Sequence, residues 1–452
     1  MNTFRIVTSL SKIQEAENET VHVAAALGQW QGDRLAQRSF FDYCLHWKMA
    51  PWIHTQLSRR ALDGLFEPEI RKLFYEVHEK VKNENERRNR EARRFLAAFI
   101  EQGIDVIVLK GNLLAHTVYH DTGYKRMNDF DILIHAADWI RAQDVYVSLG
   151  YIPLGFGWSG EKQKPARFSH VGMSYISPDY SCIVGTQWGL KSPTTPYRIQ
   201  AGELWDTSQD FDFYGLPVRQ LSTLNNLLHL TLHMGLYKCG IRDCMDVYNL
   251  LLAEPVDRAQ WDKRVSEVNA VDKSQFTLSV SNWCSGTLDP LVTDLRSVGN
   301  SFIARRLKKR EAVYRQTGDI QDSYNDYFQD VEKVVIYFNL FPAFHKKVIF
   351  YVKILKMIFW PSSDMAGKLS DVPHLNTWAS RFRARISAPF LVFSLIAQEI
   401  GWTFTFLLFV KLFVDLLFSL KNYFVKKESY FDYLKKRGID PQEIERVVKN
   451  IQ

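Results

Sequence analysis

Long uncharged apolar runs are missing from this chain of 452 residues. None reaches the roughly 18 residues that mark a transmembrane helix. Cysteine is scarce: Cys44, Cys182, Cys239, Cys244 and Cys284 are odd in number, and Cys239 and Cys244 have no second close pair to complete a metal-ligand pattern. This reads as a reduced chain with small buried thiols, not a disulfide framework. Gln14, Glu15, Glu17 and Glu19 stand where a signal peptide needs an apolar block, so the expected location is the cytoplasm. Gly-x4-Gly-Lys-Ser/Thr, Gly-x-Gly-x-x-Gly and Gly-x-Ser-x-Gly are all absent, which leaves P-loop, dinucleotide and hydrolase readings without support. Neither sign of charge dominates strongly. A net +7 is modest for this length and gives no strong nucleic-acid signal.

What is present describes a folded chain long enough for two or three domains: 46% hydrophobic and 24% charged residues. Residues 1–103 read as a helical N-terminal region. Phe95, Leu96, Phe99 and Ile100 fall at helical spacing with charges opposite, and Gly103 stands where a C-cap is expected. A short strand through Val108, a helix from about Asn112 to Tyr119, a polar turn at Asp121-Thr122-Gly123, an acidic strand and a helix from Trp139 to Leu149 follow. Strands alternating with helices imply an α/β (α+β) fold: a small mixed sheet over 104–220 with flanking helices. A helical region over 221–330 and hydrophobic, basic-flanked helices over 331–452 make a helical C-terminal half.

The chemistry is concentrated in Val106-Ile107-Val108-Leu109-Lys110-Gly111-Asn112 and Arg126-Met127-Asn128-Asp129-Phe130-Asp131-Ile132-Leu133. Strand side chains alternate, so Asp129 and Asp131 share a face, where two anions repel unless a cation joins them. Oxygen-only ligands facing solvent suit Mg²⁺ or Mn²⁺, which keep positions open for water and phosphates. Lys110-Gly111 allows close approach of backbone to a phosphate with a cation beside it. Asn112, at the expected helix start, reads as a cap that also reaches phosphate. Arg126 has two uses open to it: a partner for Asp129 or Asp131, or a phosphate clamp. The equipment is that of metal-assisted phosphoryl transfer.

The ordered set of Lys110-Gly111, Tyr119, Arg126, Asp129-Phe130-Asp131-Ile132-Leu133 and Gly150-Tyr151 resembles a bacterial group of nucleotidyltransferase family proteins within the DNA polymerase β-type nucleotidyltransferase superfamily. The likeness extends upstream to His46-Trp47-Lys48-Met49-Ala50-Pro51 and downstream through Trp188 to the helix around Asp246. It implies transfer of a nucleoside monophosphate from an NTP to an acceptor hydroxyl. Asp129 and Asp131 would be the catalytic pair and ligands of Mg²⁺ or Mn²⁺; Lys110, Gly111, Asn112 and Arg126 would bind the nucleotide. One departure stands out. The resemblance calls for a third carboxylate on a neighbouring strand, shortly before a Trp. In Cys182-Ile183-Val184-Gly185-Thr186-Gln187-Trp188, Gly185 occupies that place, and Asp179 replaces it only under a slipped alignment. A catalytically degenerate, nucleotide-binding scaffold is therefore the competing expectation.

Other residues have plainer readings. His229 and His233 share a helix face without the Glu of a zinc-protease motif, which favours core or interface. Asp246 pairs by default with Arg242, and the block Arg305-Arg306, Lys308-Lys309-Arg310 reads as a solvated helix face. The apolar stretches Val334–Phe344 and Val348–Trp360 are accompanied by Lys346, Lys347, Lys353 and Lys356. Arg381, Arg383 and Arg385 precede Ile386–Leu420, which holds only Glu399, Lys411 and Asp415 as charges, and Lys421, Lys426 and Lys427 close it. Two placements stay open for 386–420: packing as core or on a partner protein, or lying peripherally on an anionic membrane surface.

Overall fold

The computed structural model describes the chain apart from residues 15–16, 155–164, 166–168, 237–238, 287–300, 321–343, 363–365, 367–376, 426–429 and 451–452. The apolar stretch 334–343, Lys426 and Lys427 lie outside the described residues, as do the side chains of Lys346 and Phe404. The described strands are β1 (Ile107–Val108), β2 (Phe130–Leu133), β3 (Ile152–Pro153), β4 (Tyr175–Ile176), β5 (Ile183–Gln187), β6 (Gln209–Phe213) and β7 (Leu216–Gln220). Helices account for most of the rest, in keeping with the α/β reading. The chain forms two compact units, one of Met1–Ile134, Ile199–Met234 and Cys239–Gln321, the other of His135–Arg198, Gly235–Lys238 and Asp322–Gln452.

In the first unit β1 pairs antiparallel with β2 and parallel with β7, and β7 forms an antiparallel hairpin with β6. The arrangement is mixed, as the alternation of elements implies. The hairpin closes through Tyr214 and Gly215, both left-handed, the conformation a two-residue turn needs to match strand twist. Beside these strands runs the 34-residue helix Pro68–Glu101. Its buried residues Ile70, Phe74, Val81, Asn85, Arg88, Ala92, Phe95 and Phe99 recur at helical spacing. The stripe is apolar at both ends and polar at Asn85, Arg88 and Asn89. Phe95 meets Phe130 of β2 edge-on at 5.7 Å, which fixes the C-terminal part of the helix against the acidic strand.

The expected helix after β1 spans Lys110–Thr117, starting two residues before the expected Asn112. Helices Thr223–His233, Ile241–Ala253 and Val271–Ser285 complete this unit's core. His229 is buried and His233 exposed, with rings 6.2 Å apart, so they do not present a ligand pair. The basic block corrects its reading as a solvated face. On the helix Phe302–Thr317, Arg305, Lys308 and Lys309 are exposed, but Arg306 and Arg310 are buried, and Arg310 donates to the Ile320 carbonyl at 2.8 Å.

The second unit holds the antiparallel strands β3, β4 and β5. Ile152, Leu154, Ile176 and Ile183 make a core with Tyr430, Leu434 and Ile444 from helices Tyr430–Lys436 and Pro441–Asn450. The Tyr430 hydroxyl donates to the Pro153 carbonyl at 2.8 Å. Trp139, at the start of helix Trp139–Ser148, lies so close over Gly172 that a Cβ there would meet its ring at 2.5 Å. Asp179 is engaged in its own turn, accepting from Ser177 and from Ser181. Helices Phe344–Phe359, Trp378–Ile400 and Trp402–Val425 pack on one another through Ile354, Ile358, Ala384, Ala388, Val392, Leu395 and Leu412.

Candidate active site

The site begins where β1 ends. Leu109 is extended, and Lys110 turns sharply into the left-handed region (φ 55) to open its helix. A side chain there costs about 1–2 kcal/mol, so surrounding interactions must hold it. The Lys110 ammonium pairs with Asp131 Oδ2 at 2.9 Å. The ladder between the strands sets this distance: the Leu109 N–H donates to the Asp131 carbonyl at 3.1 Å, continuing the register of β1 on β2.

Asp131 is buried, and Asp129, two residues earlier, is half-buried. Burial and then the charge of Asp131 push the Asp129 carboxyl up to about 6, against the pull of Lys110 and Arg88. Lys110 shows the converse. Burial works against its charge, but Asp131 and then Asp129 outweigh it and raise its pKa. The two acids and Lys110 therefore form one electrostatic cluster, with the carboxylates drawn to a common cation.

Gly111 has a role that the residue type explains. A Cβ at this position would lie 2.8 Å from Lys125 Cε and 3.4 Å from its Nζ. Glycine lets the Lys125 ammonium cover the turn. Lys125 is held from below by Asp246, which also accepts from the Tyr119 hydroxyl at 2.7 Å. Tyr119 stacks on Tyr124 at 3.9 Å, and Asn249 donates to the Tyr119 hydroxyl at 3.2 Å. The Tyr124 hydroxyl returns to the Gly111 carbonyl at 3.3 Å. Burial, followed by the nearby Asp246 charge, pushes both phenols well above their usual range, so they act here as neutral donors.

The structure corrects the readings of Asn112 and Asp246 and gives Arg126 another partner. Asn112 does not cap its helix, because the helix starts at Lys110 and its N-cap, Leu109, makes no side-chain bond. The Asn112 amide instead donates to the Asp129 carbonyl at 3.2 Å, while its Oδ1 is buried without a hydrogen-bond partner among the described residues. Arg126 is half exposed and forms an ion pair with Glu84 at 3.3 Å. Asp246 pairs with Lys125, and Arg242 lies against Asp243 at 3.7 Å.

Asn85 and Arg88 also belong to the site, although no motif marks them in the sequence. Asn85 is fully buried and donates to the carbonyls of Thr122 and Lys125 at 2.6 and 2.8 Å, which shapes the loop leading to the acidic strand. Arg88 donates to Asn85 Oδ1 at 2.6 Å and pulls the Asp129 pKa down, so it brings a second cation to the pair. Extending the Phe95–Phe99 periodicity back along the helix would have put both residues on the buried face. Polar residues in such a stripe call for partners.

A family model described as an uncharacterised nucleotidyltransferase matches residues 35–286, more than half of the chain. The chain belongs to that family. The matched region contains Arg88, the Lys110-Gly111 turn, both acids and Asp246. Searches of curated proteins and of solved structures found no match. Among the described residues no group of three or more His, Cys, Asp or Glu side chains is placed to hold a metal ion. Gly185, half-buried on β5, brings no side chain to any site.

Proposed function

We propose that this nucleotidyltransferase is metal-dependent and moves a nucleoside monophosphate from an NTP to an acceptor hydroxyl. The acceptor hydroxyl gives its proton to water, its oxygen bonds to the α-phosphorus, the α–β bridge breaks, and pyrophosphate leaves with the bond electrons. The observation that carries the reading is the Asp129–Asp131 pair gathered on Lys110, with the Asp129 carboxyl pushed up to about 6 by burial and by its neighbour. Two carboxylates this close lack positive charge, and Lys110 and Arg88 supply only part of it.

Asp129 and Asp131 are a donor set that fits Mg²⁺ or Mn²⁺, which one or two carboxylates and substrate phosphates hold together. When bound, such an ion supplies charge neutralisation on the triphosphate and the leaving pyrophosphate. The rest of the work falls to the chain. Lys110 brings its ammonium to Asp131, and Lys125 brings another over Gly111. Asn112 ties the turn to the Asp129 backbone, and Arg126, half exposed and paired with Glu84, would exchange that partner for phosphate.

A second reading, a nucleotide-binding scaffold without turnover, is favoured by one observation: Gly185 stands where the resemblance calls for the third acid. Incubating the protein with α-labelled NTPs, Mn²⁺ and a cell lysate separates the two. The transferase reading expects label on an acceptor, lost with Asp129→Asn. Nucleotide binding without transfer to any acceptor supports the scaffold.

A further inference from the structure

The helix Trp402–Val425 exposes Trp402, Phe406, Val410, Phe413 and Leu417, a continuous stripe at helical spacing, while Thr405 and Leu412 on its other side are buried. Fifteen residues of rise make that stripe about 22 Å long. On the preceding helix Trp378–Ile400, Phe382, Ile386 and Phe390 form a second exposed row four residues apart. Exposure is far from marginal: 61% at Trp402, 69% at Phe406 and 72% at Phe390. An apolar face of this extent exceeds what a folded surface normally leaves uncovered.

Charge indicates what covers it. Helices Phe344–Phe359, Trp378–Ile400 and Trp402–Val425 contain nine lysines and arginines against Glu399 and Asp415. That surplus of seven equals the net +7 of the whole chain, so the remainder is neutral on balance. Arg381, Arg383 and Arg385 are exposed beside the Phe382 row, and Lys411 is paired with Asp415. Tryptophans stand exposed at the helix ends, as Trp360, Trp378 and Trp402. Tryptophan is favoured at the headgroup level, where its ring is apolar and its N–H wet. Among the described residues no helix is long and apolar enough to cross a membrane.

We propose that the exposed face of helices Trp378–Ile400 and Trp402–Val425 docks in the interface of an anionic lipid bilayer. The aromatics would insert below the headgroups and the arginines would bind lipid phosphates. This inference is independent of the transfer chemistry.

Co-sedimentation of the full chain with vesicles of phosphatidylcholine, with and without phosphatidylglycerol, tests it, alongside light scattering of the protein alone. Binding to the anionic vesicles that survives moderate salt is expected. Phe390→Ser, Phe406→Ser and Phe413→Ser together should lower partitioning by about a thousand-fold or more, since each inserted Phe contributes about ten-fold or more. Changing Arg381, Arg383 and Arg385 to Gln should weaken only the binding to anionic vesicles. These residues are exposed, so unchanged far-UV circular dichroism and melting are expected in both variants. Absence of vesicle binding, or binding that the Phe variant leaves intact, overturns the proposal. So does a soluble oligomer that the Phe variant dissociates without any lipid requirement, which would make the face a self-association surface.

Discussion

Replacing Lys110 with Met removes the ammonium 2.9 Å from Asp131 and keeps most of the side-chain length. At an effective dielectric of about 20, opposite charges that close attract by about 6 kcal/mol before desolvation is subtracted. Removing one member of a buried pair costs about 3–5 kcal/mol. The side chains are 20% and 10% exposed, which places the loss at the lower end, about 3 kcal/mol. Lys110→Gly offers an internal comparison. It loses the same charge but relieves the left-handed strain of about 1–2 kcal/mol, and should be about 1 kcal/mol more stable than Lys110→Met, opposite to the usual cost of glycine in a helix. The deficit also depends on pH. Burial and Asp131 already raise the Asp129 carboxyl, and without Lys110 it rises further. A carboxyl whose folded pKa lies above its unfolded value binds more protons when folded, so stability falls as pH rises through that window. Urea denaturation should therefore find a larger deficit at about pH 7 than at about pH 5. A Met variant within about 0.5 kcal/mol of the parent, or an equal deficit at both pH values, would show that the Lys110 charge does not hold the two acids.

Asp246→Asn strands the Lys125 ammonium against the Gly111 turn and should cost about 3 kcal/mol in urea denaturation, with Asp246→Ala no better. His78 and Asp121 form a pair in which hydrogen bonding and charge outweigh burial, raising the His78 pKa and lowering that of Asp121. The His78 contribution is complete below its unfolded pKa and lost as pH rises through the folded value; the Asp121 contribution is lost as pH falls. His78→Gln should accordingly flatten the alkaline side of the pH–stability curve, and a variant as pH-dependent as the parent would exclude this pair as the cause. Gly172→Ala should destabilise by about 1–3 kcal/mol, because the new methyl meets the buried Trp139 ring, and thermal melting would read it.

The acidic strand and the Lys-Gly turn were legible in the sequence because both rest on short-range rules: alternation along a strand and the placing of a glycine at a tight approach. The partners were not, because they come from far along the chain. Arg88 and Asn85 reach the loop before the acids from a helix some forty residues upstream, and Asp246 reaches Lys125 from more than a hundred residues downstream. Local spacing favoured Arg242 for Asp246 and solvent for Arg306 and Arg310, and tertiary packing overrode both. The cap assigned to Asn112 failed because Lys110 accepts a strained backbone and starts the helix early. For 386–420 composition alone could not separate core from surface. The structure divides the apolar residues, with Ala388, Val392, Leu395 and Leu412 buried and Phe390, Phe406 and Phe413 exposed.

On the proposed function, Asp129 and Asp131 bind a divalent cation together with a nucleoside triphosphate. Electron paramagnetic resonance of Mn²⁺, titrated with a non-hydrolysable NTP analogue, tests this without knowledge of the acceptor. Mn²⁺ should be immobilised by the parent in the presence of the analogue, with immobilisation lost in Asp129→Asn and in Asp131→Asn and weakened as pH falls through about 6. Equal immobilisation by the parent and both variants, or none by the parent, would contradict it.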